Sequence, residues 1–189
     1  MKKGSLLSGS LLMVLLAAVP ASTQTQVDPA TDQTYVAMVL GIASAADKDY
    51  INLNNAINSG ANLYIRKVYG TVDSQAAVIG LQPGFTVSRY TTAGVTSCTA
   101  GSIAALDSQN APIPTEISVS TGCTTDPTGL TNLGVWSFYA DETNPSTQVM
   151  WEQSPGGQPI VIRQGQGLTL DAGATAPVGV ISLMIEFTR

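Results

Sequence analysis

The chain has 189 residues, enough for one domain with a sizeable core plus an extension, whereas a second full domain would be cramped. Charged side chains make up 11% of the sequence, against roughly 25% in an average soluble domain, and the formal net charge is −5. An acidic surface repels a phosphate backbone and no run of Lys or Arg offsets it, so we expect no nucleic-acid partner. Because histidine is absent, Ser-His-Asp, Cys-His and His-ligated zinc sites are excluded.

The first 30 residues form an apolar N-terminal segment. Lys2 and Lys3 precede a run from Leu6 to Val19 that is rich in Leu, Val and Ala, and Val19-Pro20-Ala21 offers small residues for a signal peptidase. The run is shorter than the roughly 20 residues that span a bilayer. The segment is therefore interpreted as a cleaved secretory signal peptide, as an uncleaved arm packed on a neighbouring subunit, or as a poorly ordered tail.

A retained arm would have to be covered, because its side chains are strongly apolar. Its interface candidates are Leu11, Leu12, Val14 and Leu15.

Residues 31–189 show period-two alternation and frequent turn residues, which predict one β-rich domain. In chain order the predicted strands are Tyr35 to Ile42, Tyr50 to Leu53, Asn62 to Val72, Ala76 to Leu81, Phe85 to Tyr90, Glu116 to Ser120, Val135 to Tyr139, Gln158 to Arg163, Gly167 to Asp171 and Ile181 to Thr188. A short helix over Tyr35 to Ala46 is the alternative for the first of these. Many short strands separated by turns predict an all-β fold, an antiparallel β-sandwich of jelly-roll type.

The two cysteines, Cys98 and Cys123, lie in turn-like settings at the two ends of one segment. A disulfide between them would stabilise the fold by about 3 kcal/mol in the chain-entropy model. Two unpaired thiols are the alternative, because pairing does not follow from sequence.

We find no catalytic, metal or cofactor site in the sequence, and we expect no enzyme and no small-molecule substrate. Gly165-Gln166-Gly167 does not continue into a dinucleotide-binding motif and is interpreted as a turn entering a strand. Glycoside hydrolysis would have to recruit carboxylates whose separation nothing in the sequence fixes. Those carboxylates are Asp141, Glu142, Glu152 and Glu186.

Three further residues are interface candidates. Trp151 precedes a Pro-Gly-Gly turn, and it could cover one end of the sandwich or lie between subunits, where Trp is enriched. Arg66 and Arg163 are expected to form charged contacts with a partner or across strands. Trp136 and Phe138 are predicted to share one strand face and to pack in the core.

Three segments resemble a group of β-rich structural proteins of tailed-phage virions, the capsid-decoration and head-fibre type. They are Asn62 to Tyr69, Gly84 to Arg89, and Gly156 to Leu168, which contains an I-x-R-x-G-x-G strand entry. The resemblance covers residues 50–189 and implies a virion component. It also implies a homo-oligomer, with a trimer as the expected state, that binds the major capsid or tail protein.

Two functional hypotheses follow for this chain. The first is a non-enzymatic virion protein that decorates or reinforces a phage capsid or tail through subunit packing, with residues 1–30 as a tether. The second is an extracellular cell-surface filament subunit or adhesin with a cleaved signal peptide. Scarce charge favours lateral association in both, because it leaves sheet edges poorly defended.

Overall fold

The predicted all-β antiparallel sandwich is confirmed by a computed structural model. The structure describes residues 33–73, 79–81, 84–93, 97–107, 115–141, 147–177 and 179–189. Within these ranges there is no helix, and none could therefore be long and apolar enough to cross a membrane. The helical alternative for Tyr35 to Ala46 is wrong, because Thr34–Ile42 is a strand with alternating buried side chains.

The described residues form fourteen strands. They are β1 (Thr34–Ile42), β2 (Lys48–Asn55), β3 (Leu63–Val72), β4 (Ile79–Leu81), β5 (Phe85–Tyr90), β6 (Thr99–Ala100), β7 (Ser102–Ala105), β8 (Ile117–Thr121), β9 (Thr131–Trp136), β10 (Tyr139–Asp141), β11 (Gln148–Glu152), β12 (Ile160–Ile162), β13 (Gln166–Ala172) and β14 (Ile181–Thr188).

Two six-stranded antiparallel sheets pack face to face. The A sheet has the order β11-β3-β14-β1-β7, with β12 also paired to β3. The B sheet has the order β6-β8-β2-β13-β5-β9, and β4 and β10 form a separate two-stranded sheet. Neighbouring strands are mostly distant in sequence, so the fold depends on long-range pairing.

The core fills the space between the sheets, because alternate residues of each strand point inward. From the A sheet, Ile65, Leu183 and Phe187 are fully buried, and from the B sheet Leu53 and Leu168 are fully buried. The rings of Tyr35 and Phe187 stack with centroids 5.6 Å apart. These apolar contacts supply the main stabilisation of the fold.

One margin of the sandwich is closed by the chain itself, which passes from β6 in the B sheet to β7 in the A sheet through Gly101. The Gly101 amide donates to the carbonyl oxygen of Val119 at 2.9 Å. A Cβ at position 101 would lie 2.8 Å from a methyl carbon of Val39 and closer still to the carbonyl oxygen of Met38. Glycine is therefore required where the chain crosses between the sheets.

At the opposite margin, aromatic side chains join the two sheets. Trp136 on β9 stacks against Trp151 on β11, with ring centroids 5.5 Å apart and an interplanar angle of 12°. Phe138 is buried between the sheets, stacked on Phe85 and lying against Gly70.

Several predicted strand limits are corrected. The strand predicted from Val135 to Tyr139 is two strands, β9 and β10, because the chain leaves the B sheet so that Phe138 can enter the core. Three strands that were not predicted are present, β6, β7 and β11. The start of the strand predicted from Ala76 lies outside the described residues, and Ile79–Leu81 of it forms β4.

Candidate functional site

Part of the outer face of the A sheet is apolar where a solvated sheet face is normally polar. A straight row of cross-strand neighbours runs from Ser102 through Met38, Met184 and Tyr69 to Val149. These five side chains point away from the core, none is charged, and Val149 is 49% exposed. An antiparallel sheet with one core face usually alternates apolar inward with polar outward residues, and β1 departs from this rule.

The apolar surface extends along β1 on both sides of this row. Val36 is partly exposed and Leu40 is 65% exposed. We call the surface formed by Val36, Met38, Leu40, Tyr69, Val149 and Met184 the A-face. Beside it lies an open depression of about 280 Å³. The depression is lined by Met38, Val39, Leu40, Thr99, Ala100, Gly101, Ser102 and Thr121.

A small charged network borders the A-face. Lys67 Nζ lies 2.9 Å from Glu152 Oε1, and the Tyr69 hydroxyl donates to Glu186 Oε2 at 2.9 Å. The hydrogen bond that Lys67 donates to Glu152 raises the pKa of Lys67, while burial and the bond to Glu186 raise the pKa of Tyr69. Two of the carboxylates considered for glycoside hydrolysis, Glu152 and Glu186, are thus bound within this network.

The outer face of the B sheet is polar, in contrast to the A-face. Its central row crosses five strands from Ser120 through Asn52, Thr169 and Ser88 to Asn132. The middle three are almost fully buried although they point away from the core. Something must therefore cover them.

Two irregular segments joined by a disulfide lie against the Asn52 end of this row, where Asn52 Nδ2 is 3.8 Å from Cys123 Sγ. Cys98, from the segment after β5, is bonded to Cys123, from the segment after β8. The same two segments meet again at the bridge between Thr92 and Thr128, where each amide donates to the other's carbonyl oxygen at 3.2 and 3.0 Å. Crosslinking the two segments holds this polar layer against the sheet.

Carboxylates collect at one end of the polar layer. Asp49 and Asp171 are direct cross-strand neighbours on β2 and β13. The Asp49 carboxylate accepts a hydrogen bond from Asn52 Nδ2 and one from the Cys123 amide at 3.4 Å. Burial, reinforced by Asp126, raises the pKa of both groups, that of Asp171 to about 6.

These carboxylates do not form a metal centre. Among the described residues, no group of three or more His, Cys, Asp or Glu side chains is placed to hold a metal ion.

The structure spreads the predicted interface residues over different places. Arg66 donates to Thr188 Oγ1 at 3.2 Å and to Gln153 Oε1 at 2.8 Å, so its charge contacts neighbouring strands of its own chain. Trp151 is partly buried in the stack with Trp136, and Arg163 is exposed in the turn before β13. None of these three residues is part of the A-face.

The remaining candidates lie outside the described residues or side chains. The interface candidates of the N-terminal segment lie outside the described residues; they are Leu11, Leu12, Val14 and Leu15. For the carboxylate candidates, Glu142 and the side chain of Asp141 are likewise not described.

Sequence reasoning did not identify the A-face, although β1 contains a signal for it. The run Thr34–Ile42 is apolar at almost every position, as in strands that are covered on both sides. An alternating strand of a solvated sheet would carry polar residues at positions 36, 38 and 40. Val36, Met38 and Leu40 stand there instead.

No protein-family model matches this chain, and neither a curated protein nor a solved structure shows significant similarity to it. Its function is therefore inferred from its own residues.

Proposed function

We propose that this chain is a non-enzymatic structural subunit that packs through its A-face against a neighbouring protein in a particle or filament. The supporting observation is the contrast between the sheets: the central outer row of the B sheet is polar and mostly buried, whereas the A-face is apolar and partly exposed, with Leu40 65% and Val149 49% exposed. Contiguous exposed apolar surface is costly in water and marks sites of protein interaction.

The free energy gained by burying the A-face is large enough to drive association. Burying a side chain such as Met38, Leu40 or Met184 contributes up to about 1.5–3 kcal/mol relative to full exposure. Several such side chains together offset the 4–15 kcal/mol that association costs in lost freedom of motion. The depression beside Met38 and Leu40 offers room for a protruding partner side chain.

For the setting we propose a phage virion, in which the subunit decorates or reinforces a capsid or tail. The support is the resemblance over residues 50–189, together with the scarcity of charge. In this setting the A-face packs against other copies of the chain, as in a trimer, or against the major capsid or tail protein.

A secreted cell-surface filament subunit or adhesin is the second candidate, and the Cys98–Cys123 disulfide favours it. Disulfides persist in oxidising compartments and are rare where thiols are kept reduced. The intact mass of the native protein separates the two settings. A chain beginning at Met1 or Lys2 contradicts the secreted candidate, whereas one beginning near Ser22 contradicts assembly in a host cytoplasm with a retained tether.

The proposed packing is tested by Met184→Lys, which places a charge in the middle of the A-face. A buried unpaired charge costs about 3–5 kcal/mol, so association should weaken by at least about 100-fold. Sedimentation velocity of the purified chain and co-sedimentation with the native particle measure this loss.

Thr131→Lys is the matched control, because Thr131 is an exposed strand residue of the B sheet. The control variant should assemble like the wild type. Equal assembly of both variants would contradict packing through the A-face.

A further inference from the structure

We propose that a cavity on the outer face of the B sheet binds a neutral saccharide. The cavity has a volume of about 390 Å³, within the range of small-molecule sites. It is lined by Asn52, Asn54, Tyr90, Ala93, Cys98, Ala100, Ser118, Val119 and Ser120. None of these side chains is charged, which is the first indication of the ligand's chemistry.

The floor of the cavity is a square of polar side chains fixed by the strand register. Asn52 lies opposite Ser120, and Asn54 lies opposite Ser118, on the neighbouring strands β2 and β8. Cross-strand pairs of this kind are about 5 Å apart, and alternate residues of one strand are about 7 Å apart. The carboxamide of Asn54 and the hydroxyls of Ser118 and Ser120 therefore point from one plane toward the cavity, whereas the nearly buried Asn52 closes its floor.

These groups match the hydroxyls of a sugar. A carboxamide both donates and accepts hydrogen bonds, as does a hydroxyl, and each sugar hydroxyl can do the same. In the described part of the chain the side chains of Asn54 and Ser118 make no hydrogen bond, so they are available to a ligand. Tyr90, Ala93 and Ala100 add small apolar contacts suited to the C–H groups of a sugar ring.

One polar atom of the floor and one beside it also lack protein partners. Asn52 Oδ1 and the hydroxyl of its cross-strand neighbour Thr169 are buried without a hydrogen bond from the described residues. Buried polar atoms normally have a partner. The polar character of the site thus extends along the sheet from β2 to β13.

The walls of the cavity are held in place before any ligand binds. The ring of Tyr90 lies across Gly167, and its hydroxyl donates to the carbonyl oxygen of Leu53 at 3.3 Å. The disulfide between Cys98 and Cys123 fixes the other wall. Such pre-organisation reduces the entropy lost on binding.

Nearby charge selects against acidic sugars. Asn52 donates to Asp49, and Asp49 lies opposite Asp171 on the same sheet face. The exposed Asp126 adds to the negative potential there. An anionic sugar is repelled by this potential, whereas a neutral one is not.

A saccharide ligand departs from the sequence-based expectation of no small-molecule partner and does not depend on assembly through the A-face.

The test is saturation-transfer-difference NMR on the full chain with glucose, galactose, mannose and N-acetylglucosamine, and with sialic acid as the anionic probe. Each sugar is supplied at about 10 mM, where a millimolar Kd gives substantial occupancy. We expect saturable binding of at least one neutral sugar and weaker binding of sialic acid. Asn54→Leu and Ser118→Val should each weaken binding of that sugar at least 10-fold.

Thr131→Val is the matched control, since Thr131 is an exposed strand residue at the other edge of the B sheet, outside this cavity. It should bind as the wild type does, and an unchanged thermal midpoint of Ser118→Val shows that its fold is intact. The proposal is overturned if no neutral sugar binds, if sialic acid binds best, or if Asn54→Leu and Ser118→Val bind as tightly as Thr131→Val.

Discussion

Replacing Asp171 by Asn should stabilise the protein at neutral pH. Asp171 lies opposite Asp49, and burial, with the charges of Asp126, Asp49 and Asp47, raises its pKa from 3.8 to about 6. A rise of this size corresponds to at most about 3 kcal/mol. Because the side chain is only partly buried, solvent screening reduces the expected gain in the free energy of unfolding to about 1–2 kcal/mol at pH 7.

The pH dependence has a definite sign. Between pH 3.8 and about 6 the folded state binds this proton more tightly than the unfolded state, so stability contributed by Asp171 is present below that window. It is lost as the pH rises through 6. Urea unfolding of the wild type and of Asp171→Asn from pH 3.5 to 7.5 should give stabilities that agree at the acidic end, separate progressively from about pH 4, and differ by a constant amount above about pH 6. Curves that stay parallel over the whole range, or a less stable variant at pH 7, would refute the reasoning.

Two further substitutions test the polar layer and the packing beneath it. Cys98→Ser should lower the free energy of unfolding by about 3 kcal/mol, measured by urea titration without reductant, because it opens a loop between residues 25 apart. The reduced wild type should have the same free energy of unfolding as this variant. A Cys98→Ser variant as stable as the oxidised wild type would contradict the prediction. Gly167→Ala should cost about 1–3 kcal/mol, since a Cβ there would lie 2.5 Å from the carbonyl oxygen of Leu53 and closer to the Tyr90 ring. An unchanged thermal midpoint for Gly167→Ala would contradict that packing.

Strands with clear alternation could be predicted from sequence, whereas those without it could not. β5 has the predicted limits, and β14 has them as well, because apolar residues recur there at every second position. β6 and β7 were missed because Thr99–Ala105 contains small and polar residues whose only large apolar side chain is Ile103. They are strands because long-range partners, β8 and β1, supply the hydrogen bonds.

Neither candidate site could be located from sequence alone, for a related reason. The A-face requires Met38, Met184 and Tyr69 to be neighbours, and their register comes from the pairing of β1, β14 and β3, which are far apart in the chain. The cavity of the B sheet likewise combines β2 and β8 with residues around Cys98. Sequence patterns indicate which residues face outward in a strand, but not which strands become neighbours.

Methionine oxidation footprinting of the native assembly tests most directly whether the A-face is an interface. Met38 and Met184 are on the A-face, whereas Met150 packs partly against the core and serves as the internal reference. If the A-face is covered in the assembly, Met38 and Met184 should oxidise at least about 10-fold more slowly there than in the dissociated subunit, with little change at Met150. Equal oxidation rates of Met38 and Met184 in the two states would contradict packing through the A-face.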